Sequence, residues 1–112
     1  MTVAGIIITS AIDGSNAVLI KNFDSSTVGK LLKDVLIEVK NKNLEFSAEL
    51  IINELINSEK DISVILRDFH YKTPDNVLYA VDDVWVCNIE NETSATIVGY
   101  DTEYGNATIL RV

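Results

Sequence analysis

The sequence predicts an α+β fold: a mainly antiparallel sheet of about five to seven strands with two helices packed on one face, in the order ββααβ followed by a β-meander. Three observations carry this. In the second half apolar residues alternate with polar ones, as in Val84, Val86 and Asn88 against Trp85, Cys87 and Ile89, which is strand periodicity. From Val28 to Leu55 the apolar spacing switches to three and four. One Pro and five Gly leave no room for a flexible linker, so residues 1–112 read as a single domain, long enough to bury about two-thirds of its unfolded surface.

Val3 to Ser10 is short, nearly all apolar and rich in isoleucine, as a strand buried on both faces requires. Ile12 to Asn16 supplies turn chemistry, and Ala17 to Phe23 follows as the hairpin partner. Asp24, Ser25 and Ser26 offer N-cap oxygens to a helix whose apolar positions are Val28, Leu31, Leu32, Val35, Leu36 and Val39. A second helix, about Glu45 to Ser58, buries Ala48, Ile51, Ile52 and Leu55. Ile37 and Leu50 stray toward the polar sides of these helices. The expectation is that the helices pack on each other as well as on the sheet, with a homodimer through the face carrying Ile37 and Leu50 as the alternative.

Ile62 to Phe69 reads as a third strand, and His70 to Asn76, with Pro74, as a loop. Up to four strands follow: Val77 to Val81, Val84 to Ile89, Ala95 to Tyr100 and Ala107 to Val112. Glu90 to Thr93 and Asp101 to Asn106 are turns between them, and Asp82-Asp83 is either a tight turn or a bulge.

The chain carries a net charge of −8, divided unevenly: residues 1–44 sum to +1 and residues 45–112 to −9. From Thr73 to Leu110 there are seven carboxylates and no Lys or Arg. This disfavours nucleic acid and anionic membrane as partners, since both are bound through cations. Met1 to Ala11 lacks a basic leader and is too short to span a bilayer, so the expected location is the cytoplasm.

Motifs for catalysis are lacking. His70 is the only histidine and Cys87 the only cysteine; a Cys87-His70 pair, or a small enzyme using His70, is the weakest of the readings. Two such residues do not make a zinc site, the carboxylates lack EF-hand spacing, and no Gly-rich run cradles a phosphate, so neither cofactor nor metal is expected. What remains is the segregated charge. A concentrated acidic surface attracts a basic protein, and large basic surfaces are commonest on nucleic-acid enzymes. The expectation is a non-catalytic inhibitor of the immunity or antitoxin type that occludes such a partner, a nuclease toxin for example. The contacts assigned to it are Asp82, Asp83, Glu90, Glu92, Asp101 and Glu103, with Tyr100 and Tyr104 as aromatic anchors.

Overall fold

The computed structural model describes residues 2–67, 81–101 and 107–112. Along the chain these form β1 (Ala4–Ser10), β2 (Asn16–Lys21), α1 (Val28–Asn41), α2 (Ala48–Ser58), β3 (Ile62–Arg67), β4 (Asp83–Asn91), β5 (Ser94–Asp101) and β6 (Ala107–Arg111). The six described strands make one sheet in the order β3-β2-β1-β4-β5-β6. The expected Val77 to Val81 strand lies, up to Ala80, outside the described residues.

The class is α+β, but the sheet is mixed. β1 pairs antiparallel with β2 on one side and parallel with β4 on the other, from Ala4 opposite Asp83 to Ser10 opposite Ile89. Every other neighbouring pair is antiparallel. The reason lies in β1. Its apolar run buries Ile6 and Ile8 under the helices and Ile7 on the opposite face, so it is stable only as an inner strand with a partner on each edge. The β2 hairpin fills one edge and β4 fills the other, running in the same direction.

The helices cover one face. α1 contributes Val28, Leu32, Val35, Leu36 and Val39 to the core, and α2 contributes Ala48, Ile51, Ile52 and Leu55. The half-buried Leu50 packs against this cluster, whereas Ile37 is exposed. α2 begins at Ala48, later than the spacing suggests, because the Ser47 hydroxyl accepts the Leu50 N–H as N-cap while Phe46 is drawn into the core.

The start of α1 also differs from expectation. Ser25–Thr27 forms a single 3-10 turn ahead of the helix, and among the described residues no side chain caps either element. Ser25 is buried, and its hydroxyl donates to Asp83 of β4 instead. The two segments are 58 residues apart in sequence, so no local pattern announces the contact.

Candidate partner-binding surface

The parallel pairing of β1 and β4 decides where the acidic residues go. It brings the start of β1, the start of β4 and the end of β2 to one end of the sheet, and antiparallel pairing adds the start of β3 and the end of β5. Asp82, Asp83 and Asp101 therefore gather at this end, with Asp83 opposite Asp101 in the ladder. Glu90 and Glu92 lie at the far end of β4. Seven residues of strand rise separate Asp83 from Glu90, about 23 Å, which is more than two Debye lengths at physiological ionic strength. The acidic stretch is continuous in sequence but its field is divided between two ends.

The two ends differ in character. Around Glu90 and Glu92 stand Asp13, Glu45 and Glu49, but Lys40, Lys42 and Arg111 are interleaved with them. Several of these charges are internally committed: Ser15 holds Asp13 below the ordinary carboxylate range, and Glu38 raises Lys42. The Asp82 end also carries cations, but two of them are turned to carboxylates. Lys21 is buried against Asp61, Lys30 faces Asp34 one turn into α1, and Lys60 is exposed.

That same end presents Phe23, 52% exposed and the one exposed aromatic among the described side chains. The loop carrying it is tied down residue by residue. Asp61 Oδ2 accepts the Phe23 N–H at 3.1 Å, and its backbone carbonyl accepts the Asn22 N–H at 3.1 Å. The Asp24 carbonyl accepts from both the N–H and the hydroxyl of Thr27, at 3.0 and 2.8 Å. Ser25 N–H donates to the Thr2 hydroxyl at 2.9 Å. Asp24 itself sits in the left-handed region, φ 51° and ψ 60°, a conformation that non-glycine residues adopt at a cost and that the surrounding bonds impose.

Phe23 was expected as the last residue of the second strand. Instead Asp61 accepts from the buried Lys21 ammonium and from the Phe23 N–H and turns the chain outward after Lys21. β2 accordingly ends at Lys21.

The two adjacent aspartates are part of the frame. Asp82 Oδ2 accepts the Val3 N–H at 2.7 Å while the Asp82 N–H donates to the Val3 carbonyl at 2.8 Å, closing the start of β1 onto β4. Asp82 is thus a bend and Asp83 the first residue of the strand. Tyr100 lies opposite Val84 in the β4–β5 ladder. Glu103, Tyr104 and His70 lie outside the described residues.

Cys87 is buried on the helix side of β4, and burial pushes its thiol up to about 12. It is a core residue with almost no thiolate at neutral pH, and the expected outcome is that a thiol reagent such as dithionitrobenzoate labels it only on unfolding. Among the described residues no three His, Cys, Asp or Glu side chains are placed to hold a metal ion, and no helix is long and apolar enough to cross a membrane. No family model matches the chain, nor does any curated protein or solved structure.

Proposed function

We propose that this protein is an acidic binding module that inhibits a basic, nucleic-acid-processing partner by occlusion, in the manner of an immunity protein or antitoxin, and that it docks through the end of the sheet carrying Phe23, Asp24, Asp82 and Asp101. The observation that carries this is an exposed aromatic ring on a loop whose backbone is held at every residue from Asn22 to Ser25, at the end of the sheet where Asp24, Asp82 and Asp83 stand. An aromatic anchor on a preorganised loop loses little conformational entropy on binding. The carboxylates at that end steer a cationic partner toward that anchor.

The test is a titration of the protein into basic nucleases recovered with it by pull-down from the native host, with cleavage of a fluorescent nucleic acid as readout. The expected result is stoichiometric inhibition. Phe23→Ala weakens it by about 30-fold, the loss of roughly 2 kcal/mol typical of an aromatic hot spot, and leaves the unfolding midpoint essentially unchanged, because the ring is exposed. If none of these enzymes is bound or inhibited, the inhibitor reading falls. If inhibition survives Phe23→Ala undiminished, the docking surface is elsewhere.

A further inference from the structure

The face of the sheet turned away from the helices carries a different arrangement. At one level across four strands, hydrogen-bonding side chains stand in register: Thr9 opposite Asn88, Asn88 opposite Thr96, and Thr96 opposite Arg111. One pleat along, the matching positions on β4 and β5 are Val86 and Val98. Residues two apart on a strand share a face, so the polar row and the valines lie side by side, and Glu90 follows Asn88 on the same face. Together these residues line a depression of about 490 Å³, within the range of roughly 300–1,000 Å³ usual for small-molecule sites.

Its chemistry is divided into three parts. Thr9 Oγ1 donates to Asn88 Oδ1 at 3.2 Å and Thr96 Oγ1 donates to Glu90, so the row is internally ordered. Arg111, two strands from β4, forms no ion pair among the described residues and offers a planar set of N–H donors suited to a carboxylate. The Glu90 carboxylate accepts from a cationic N–H. From strand spacing and rise, the backbones at Glu90 and Arg111 are about 12 Å apart, a gap that two long side chains narrow to the size of a small molecule. Val86 and Val98 provide an apolar floor.

We propose that this depression binds a free α-amino acid with an aliphatic side chain, its carboxylate on Arg111, its ammonium on Glu90 and its side chain over Val86 and Val98. A simple carboxylic acid would bring a further negative charge to a protein already at −8 and face Glu90 unpaired. A simple amine would leave Arg111 unanswered. The zwitterion meets both and adds no net charge. The site is separate from the Phe23 end, so the two readings stand or fall independently.

The experiment is a heteronuclear NMR titration of the full chain with L-leucine, N-acetyl-leucine and leucinamide. Leucine is expected to shift the amides of Val86, Asn88, Thr96 and Val98 saturably, with a dissociation constant on the order of 1 mM as befits so small a ligand. N-acetyl-leucine, lacking the ammonium, and leucinamide, lacking the carboxylate, should each bind at least tenfold more weakly. Arg111→Gln should weaken leucine at least tenfold with the remaining spectrum unchanged. Absence of a saturable shift with leucine overturns the proposal, and so does equal binding of either analogue. These ligand arms decide it on the unaltered protein, even if Arg111→Gln fails to fold.

Discussion

Replacing Gly29 with alanine is expected to destabilise the protein by about 2 kcal/mol, although the same change inside an ordinary helix stabilises by roughly 0.5–1 kcal/mol. The sign is reversed by Trp85. Its ring projects from β4 across Gly99, its partner in the β5 ladder, to the glycine of α1. A Cβ at Gly29 would stand 2.6 Å from Trp85 Cζ3, and a Cβ at Gly99 would stand 2.6 Å from both Cε3 and Cη2. The indole is held in a slot with a glycine on each side, so it cannot retreat from one without striking the other. Gly99→Ala should therefore cost a similar amount. In this slot the buried indole N–H has no hydrogen-bond partner among the described residues. Trp85→Phe removes that orphan donor and shortens the ring, and combined with Gly29→Ala it should be less destabilising than the sum of the two single changes by at least about 1 kcal/mol. Urea unfolding of the three variants measures this. A gain in stability from Gly29→Ala alone would mean that the tryptophan does not fill the slot.

The second large effect belongs to Lys21 and Asp61. The lysine lies on the helix-facing side of β2, 4% exposed, and its ammonium meets Asp61 Oδ2 at 2.8 Å. Removing one partner of a buried pair leaves the other charge without compensation, at a cost of about 3 kcal/mol. Asp61→Asn should approach that figure, while Lys21→Met with Asp61→Leu should recover much of it. The pair also sets a pH dependence. The Lys21 hydrogen bond, chiefly, holds the Asp61 carboxyl below its ordinary 3.8, with desolvation opposing. The folded value is the lower one, so the stabilisation is complete above about pH 4 and is lost as pH falls through the folded value. Unfolding measured from pH 5 downward should show this loss in the wild type and a flatter profile in Asp61→Asn. Asp61 further holds the Phe23 N–H, which makes it a positioning residue for the proposed anchor.

The elements most legible in the sequence are those whose signal is local. The spacing from Val28 to Val39 is sufficient for α1, and the alternation from Val84 to Ile89 is sufficient for β4. The side assigned to Trp85 by that alternation, with Cys87 and Ile89, is the side on which it packs. Strand partners are another matter. Alternation says that β1 and β4 are strands, but parallel and antiparallel partners ask for the same side chains, and β4 pairs with a strand some 79 residues away. The placement of the acids depends on that pairing. Asp82 and Asp83 resemble surface charge when read along the chain, yet each accepts a long-range hydrogen bond, from Val3 and Ser25. Phe23 looked like the end of a strand because its exposure depends on Asp61 and Thr27 turning the chain outward, contacts that composition does not encode.

The proposed docking surface makes its strongest claim about charge. Carboxylates at the end of the sheet that carries Phe23 should accelerate encounter with a basic partner in a way that salt suppresses. The most direct measurement is the association rate constant with the proposed nuclease partner, followed by stopped flow from 20 to about 500 mM salt, for the wild type and for Asp24→Lys combined with Asp101→Lys. The wild-type rate should fall by about tenfold or more over that range, and the variant should be slow at low salt, nearly insensitive to ionic strength, and folded. A wild-type rate independent of salt, or a variant that associates as fast as the wild type, would contradict the account.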